Sequence, residues 1–308
     1  MNLHFIGIGE SAMHNLAIAL QNKGYQITGS DDDISEHAKQ FLEKHNLFPK
    51  EIGWFPEKIN AKLDAVILGI QPKNDNPELK RAEELGLKIY SVAEFLYEFS
   101  REKTRVVIAG SKGRSTLTAM VLHVMNYHGK KVDYMIEMPF SGFENTLNLT
   151  QENDFIVIEG DEFSASATDL RPKFHLYKPN IALLSGIAGE HLDNFSTSES
   201  YQEQFQIFIT SIVNGGILVY NEEDEELKEL AENTENPIRK HPYSTPEYHM
   251  EDDTFILDTP EGEMPLEISG EANVNNIAGA KWICQHMGID EDDFYEAIID
   301  FKPVEVTS

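Results

Sequence analysis

The sequence predicts an α/β protein of two domains, each built on a parallel sheet. A short apolar strand, a glycine turn and an amphipathic helix follow one another at the N-terminus, and the same succession begins again after residue 103. Length agrees, because 308 residues exceed what one hydrophobic core usually serves.

LHFIGI reads as a buried strand, and Ser11 to Lys23 as a helix with Met13, Leu16, Ala17 and Leu20 at helical spacing. Strand, glycine turn and helix open a doubly wound sheet. YQITGSD after Gly24 is the second strand, DAVILGI (Asp64 to Ile70) the third, and LKIYS (Leu87 to Ser91) the fourth, after a helix around Pro77 to Leu85. The charged stretch SREKTR (Ser100 to Arg105) places a boundary near residue 103. The second half restarts with strand, loop and helix in RVVIAGSKGRSTLTAMVLHVMNYHG, and continues with strands in DFIVIEGDEF, NIALLSGI and GGILVYN. Glu222 to Glu232 is a solvated helix carrying Leu227 and Leu230. From Pro237 to Glu267, short apolar runs punctuated by Pro, Gly and Asp predict β-hairpins at the domain edge. The segment NVNNIAGAKWICQHMGIDEDDFYEAIIDF predicts two helices joined at Gly288, with Trp282 and Phe294 in the core.

Composition narrows the function classes. Against 25 Lys and Arg stand 53 Asp and Glu, and a net charge of −28 repels polyphosphate backbones, which argues against nucleic acid as a partner. The N-terminus shows no basic segment followed by an apolar one and a cleavage site, and no apolar run reaches membrane-spanning length, so no membrane partner and a cytoplasmic location are expected. A lone Cys284 excludes an intrachain disulfide framework and a thiolate-rich metal site.

Two glycine loops carry the chemical signal. Gly7, Gly9, Ser11 and Ala12 lie at the junction of a predicted strand and the start of a predicted helix, where glycine lets backbone approach a diphosphate and the helix N-terminus offers N–H groups. Ser30 and Asp31, at the end of the second strand, are candidates for hydrogen bonds to a ribose or base, a device a dehydrogenase also uses. The second loop is Gly110-Ser111-Lys112-Gly113-Arg114-Ser115-Thr116, at another strand-to-helix junction. It departs from the general triphosphate-loop spacing, because Ile108 stands five residues before Gly113.

This second loop resembles the shorter G-T-x-G-K-[ST]-T loop of the Mur ligase family, with Arg114 at the lysine position and Ser115 at the hydroxyl position. The resemblance continues in order. IEGDEF is similar to the family's E-A-D-E strand end, with Glu159 as the Mg²⁺-binding carboxylate and Asp161 and Glu162 beside it; GEHLD resembles its D-H-x-D segment, with His191 at the metal-site histidine. GEANVNNIAGA resembles G-x-H-N-x-x-N-x-x-A-A, keeping Asn273 and Asn276 and placing Ala272 where the histidine belongs, and Asn76-Pro77-Glu78 resembles an element of the UDP-binding half. The resemblance spans essentially the whole chain. The IEGDEF and DLRPKF arrangement looks closer to murein peptide ligases than to the alanine-adding enzymes.

The resemblance implies a Rossmann-like UDP-substrate domain at 1–103 and a larger P-loop-type ATPase domain at 104–308, with the family's C-terminal third domain absent. It implies an ATP- and Mg²⁺-dependent ligase that joins L-alanine or a short peptide to UDP-N-acetylmuramate in peptidoglycan synthesis or recycling, truncated and weak in this form. Gly110, Ser111, Lys112, Gly113, Arg114, Ser115, Thr116, Asn273 and Asn276 would hold ATP; Ser115, Glu159 and His191 the metals; Arg114, Glu159 and His191 would act in catalysis; Gly7, Gly9, Ser11, Ala12, Ser30 and Asp31 would hold the UDP end. Glu10 and Glu137 stand where the family has glycine, and Glu190 replaces an aspartate. A catalytically weakened UDP-sugar or nucleotide-binding protein on the same fold is the alternative. A nicotinamide-dependent dehydrogenase explains only the first loop.

Overall fold

The structure, a computed structural model, describes residues 1–187, 197–268 and 270–302. Its contacts divide into two units: the first holds residues 1–101, 147–151 and 162–177, the second 102–146, 152–161 and the chain from 178 onward.

In the first unit, β1 (Asn2–Ile6), β2 (Gln26–Ser30), β3 (Ala65–Leu68) and β4 (Lys88–Tyr90) form a parallel sheet in the order β2-β1-β3-β4. β1 from Leu3 onward and all of β3 are buried, as expected of parallel strands covered by helices. The helices are α1 (Ser11–Asn22), α2 (Glu36–Lys44), α3 (Pro77–Glu84) and α4 (Val92–Phe99); the short strand β7 (Leu147–Asn148) packs on α1. Sequence reading found α1 and α3 but not α2 or α4. Ser35 caps α2, and Ser91 with Glu94 forms a reciprocal capping box at α4, so both starts carry a local signal.

Asn76-Pro77-Glu78 builds the start of α3. The Asn76 Oδ1 accepts from the Glu78 and Leu79 amides, and Pro77 occupies a position that needs no donor. The Glu78 carboxylate is fully buried, 3.1 Å from His4 Nε2, and accepts the Phe55 amide at 2.6 Å; His4 Nδ1 meets Thr28 Oγ1 at 2.8 Å.

In the second unit, β5 (Thr104–Ala109), β6 (Asp133–Met135), β8 (Phe155–Glu159), β9 (Ile181–Leu184), β10 (Ile217–Asn221) and β11 (Arg239–Tyr243) run parallel in the order β11-β10-β9-β5-β8-β6. The helices are α5 (Arg114–Tyr127), α6 (Ser198–Ser211), α7 (Glu225–Asn233), α8 (Glu271–His286) and α9 (Glu291–Ile298). α5 packs against α8 and α9. Gly279 makes the α8 approach close: a Cβ there would stand 3.0 to 3.2 Å from Tyr243, Leu183 and Leu117.

Two sequence expectations are corrected here. The run from Pro237 is not hairpins throughout, because β11 joins the parallel sheet beside β10 and only β12 (Tyr248–Glu251), β13 (Thr254–Thr259) and β14 (Gly262–Pro265) form an antiparallel sheet. Pro242 misled the reading: it marks an edge strand, where a missing donor is tolerated, rather than a turn. Phe294 is fully buried, but Trp282 is only half-buried, packed at the margin of the core against His241 and His286.

His241 and His286 lie with ring centroids 4.8 Å apart, and the Nε2 of each is buried without a hydrogen-bond partner among the described residues. Burial pushes both imidazole pKa values down, assisted for His241 by Arg239 and for His286 by His241 and then Arg239.

Two predictions follow from this packing. Glu78→Ala should cost about 3 kcal/mol in urea unfolding, since it strands His4 and the Phe55 amide, while His4→Leu with Glu78→Met should cost less than the sum of the single changes. A depressed folded-state pKa means that the unfolded chain takes up protons first, so the stability from neutral His241 and His286 is present above about pH 6.5 and lost as pH falls through the lower folded values. His286→Phe should therefore lose less stability than the wild type between pH 7.5 and 5.5, and equal losses would refute the pairing.

Candidate functional site

The second unit gathers its chemistry where β5 ends. Gly110 turns the chain with φ 137°, and Gly113, with φ 79°, caps α5 in the left-handed region that a side chain resists. Neither position has room for a Cβ. At Gly110 one would fall 2.2 Å from Ser185 Oγ, and at Gly113 2.8 Å from Asn276 Oδ1. Ser185, at the end of β9, donates its hydroxyl to the Lys112 carbonyl, and the Ser111 amide donates to the Gly186 carbonyl at 2.9 Å. Lys112 itself is exposed and Thr116 half-buried.

Glu159, the last residue of β8, pairs in register with Ile108 of β5 and so meets the loop. Its Oε1 accepts the Ser115 hydroxyl at 2.5 Å and lies 3.5 Å from Arg114 Nε; its Oε2 accepts the Glu137 amide at 2.9 Å. Burial raises the Glu159 pKa; the bonds from Ser115 and the Glu137 amide oppose that, the Glu137 charge adds to it, and the Arg114 charge lowers it. The Arg114 Nη2 also donates to Glu137 Oε2 at 3.1 Å. Two residues that depart from the family pattern, one in the loop and one just past β6, thus pair with each other. Ser115 and Glu159 offer adjacent hard oxygen donors, which suit Mg²⁺.

The first two turns of α8 bring Asn273 and Asn276 together, with Asn276 Nδ2 3.4 Å from Asn273 Oδ1 and its Oδ1 against Gly113. Ala272, beside them, is exposed. Asp161 is half-buried and Glu162 buried. His191 and Glu190 lie outside the described residues. Sequence reasoning missed Ser185, Asp224 and Asn275. Asp224 accepts the Ile187 amide at 2.7 Å while capping α7, and Asn275 Nδ2 reaches Glu223 and Thr245, each at 3.1 Å. Only Ser185 had a readable signal, a hydroxyl directly after a fully buried strand.

The first unit has its own loop. Gly7, with φ 92°, and Ile8 donate to the Ser30 carbonyl, and Gly9 donates to Asp31 Oδ2 at 2.8 Å. Asp31 is buried, which raises its pKa against the bonds from Gly9, Asp33 and Asp32; Ser30 Oγ accepts Lys58 Nζ at 3.1 Å. Ser30 and Asp31 are thus engaged in shaping the loop, while Ser11 and Ala12 are exposed at the start of α1. Glu10 reaches across to β3's end, where its carboxylate accepts the Ile70 amide at 3.0 Å and the Gln71 amide at 2.9 Å. Beside the edge of β2 lies a cavity of about 460 Å³ bordered by Thr28, Leu47, Phe48, Lys50 and Lys58.

Two parallel-sheet units, each with a glycine loop at a strand's carboxyl end, define an α/β protein of the doubly wound class. The chain belongs to the Mur ligase family: the Mur ligase middle domain matches residues 108–284, and the Mur ligase family catalytic domain matches residues 2–104. It is 29% identical over 309 residues to the UDP-N-acetylmuramate--L-alanine ligase of Persephonella marina, covering 98% of this chain and 65% of that protein. It is 26% identical to the UDP-N-acetylmuramate--L-alanyl-gamma-D-glutamyl-meso-2,6-diaminoheptandioate ligase of Escherichia coli (strain K12), covering 98% and 67%. The chain spans about two thirds of the length of these relatives. In fold it matches the corresponding murein peptide ligase from Neisseria meningitides, with TM-score 0.85, 24% identity and 99% of each chain covered. It also matches UDP-N-acetylmuramate-alanine ligase from Thermotoga maritima, with TM-score 0.74, 22% identity, and 99% of this chain and 69% of that one covered.

The Arg114 side chain is 13% exposed, Glu137 55% and Glu159 4%. Double-mutant cycles on stability should give about 0.5 kcal/mol for Arg114 with Glu137, a water-screened pair, and a larger coupling for Arg114 with Glu159. The reverse order would mean that Arg114 faces outward.

Proposed function

We propose that this chain supplies the nucleotide-sugar and ATP-binding parts of a ligase that joins L-alanine or a short peptide to UDP-N-acetylmuramate, with residues 1–103 holding the UDP end and 104–308 the ATP. The reading is supported above all by the Ser115, Glu159 and Arg114 cluster at the loop between β5 and α5, with Asn276 against Gly113. A ligase in which the same loop geometry serves ATP is consistent with a fold that, in MurF of Thermotoga maritima, is seen in complex with ADP. Such an enzyme would act in the cytoplasm, a reading supported by the lack, among the described residues, of a helix long and apolar enough to cross a membrane.

In a ligation of this class the substrate carboxylate attacks the γ-phosphorus of ATP and ADP departs with the bond's electron pair. The amine then attacks the acyl phosphate carbon, phosphate leaves, and the nitrogen loses a proton. Charge management dominates both steps. Mg²⁺ held by Ser115 and Glu159 would neutralise phosphate oxygens. Arg114 and the first turn of α5 would stabilise the remaining charge, the Gly110 and Gly113 turns would let backbone reach the phosphates, and Asn273 and Asn276 would border the nucleotide. His191 is assigned to a second metal by its place in the motif. The first unit would anchor the substrate remotely.

The Arg114 and Glu137 pair favours the second reading, a nucleotide-binding protein with weakened catalysis, because a planar guanidinium drawn toward a carboxylate is a poor stand-in for a lysine point charge. Arg114→Lys with Ala272→His should raise affinity for ATP with Mg²⁺, measured by titration calorimetry, with little change in thermal stability without nucleotide. Unchanged affinity would make the second loop a structural turn and favour the binding-protein reading. Calorimetry with UDP-N-acetylmuramate and NAD tests the first unit, and tight NAD binding without a uridine response would remove the ligase reading.

A further inference from the structure

We propose that Glu10 is an internal occupant of the anion seat between β1 and β3, so that a phosphate group enters the first unit only by displacing this carboxylate. The strand order β2-β1-β3-β4 reverses direction between β1 and β3, and in open parallel sheets the crevice at that reversal, at the strands' carboxyl ends, is where ligands sit. Glu10 fills it. Two successive amides, Ile70 and Gln71, point at its two carboxylate oxygens, an arrangement of backbone N–H groups that cradles anions. The glycines around the crevice have left room that the side chain takes up. A Cβ at Gly69 would stand 2.2 Å from Glu10 Oε1 and 2.7 Å from its carboxyl carbon, and one at Gly7 2.9 Å from the same oxygen.

Charge makes the occupancy selective. Burial and the neighbouring Asp31 disfavour the carboxylate, the two amides and Lys173 favour it, and a second anion beside it would be repelled. Displacement needs no unfolding. Glu10 is the N-cap residue of α1 and its side chain makes no capping bond to that helix, so it is free to rotate outward while the helix stays intact. Glu10 is therefore a specificity-determining residue: it sets a threshold against phosphate-bearing ligands that a neutral nucleoside does not meet. The proposal rests on the first unit being a diphosphate site, and on nothing about the sugar or base attached.

The test titrates pyrophosphate, and separately uridine, into the full chain as wild type, Glu10→Gly and Glu10→Gln, with backbone amide resonances of Ile70 and Gln71 as a second readout. The Glu10→Gly chain should bind pyrophosphate at least about tenfold more tightly than wild type. Glu10→Gln, which keeps the bulk but loses the charge and one acceptor, should fall between, and it serves if Glu10→Gly folds poorly. Uridine affinity should be the same in all three. The Ile70 and Gln71 resonances should move on substitution and respond to pyrophosphate. Equal pyrophosphate affinity across the three, no pyrophosphate binding by either variant, or tighter binding without a response at those two amides would overturn the proposal. Pyrophosphate gains as expected with no uridine binding by any form would keep it and remove the nucleotide-sugar reading instead.

Discussion

The carboxylate of Glu159 ties three segments that are far apart in sequence. Its strand lies in register with β5, one oxygen takes the Ser115 hydroxyl at the head of α5, and the other takes the Glu137 amide just past β6. Remove it and the loop loses the contact that fixes its first helical turn relative to the sheet. Ser185 and Asn276 brace the loop from two further sides, each lying against a glycine that tolerates no side chain. The geometry of the loop is thus set by its neighbours, and the glycines record where those neighbours press.

Much of this could be read from the sequence. The strand, glycine loop and helix succession was visible in both halves because each piece is local: continuous apolar strands, glycines at positive φ, and helical spacing of Met13, Leu16 and Leu20. Glu159 was found from its place in an ordered motif set. What stayed hidden depends on long-range contacts. Nothing near Glu10 in the chain shows that its carboxylate ends on the amides of Ile70 and Gln71, and nothing near Asp224 shows that it holds Ile187. β11 was misread because proline marks both turns and edge strands, and only the neighbouring strand distinguishes them.

The substitutions in the two loops look different once their partners are known. Glu137, a charge that phosphates would repel, is paired with Arg114, a charge that they would attract. Glu10 satisfies two backbone donors that a glycine at its position would leave to solvent or ligand. In the ligand-free state these particular groups therefore have partners inside the protein. Such pairing sets a threshold for any ligand, because the incoming group must offer more than the contact it replaces.

The edge of the larger sheet has a consequence for the protein among its own copies. β11 is the terminal strand there, and an open edge invites a strand from another molecule. Pro242 removes a donor from the row that such a strand would need, and with a net charge of −28 two copies approach against repulsion. The residue that obscured the strand in the sequence thus leaves a gap in the row of donors along which a second copy's strand would have to pair.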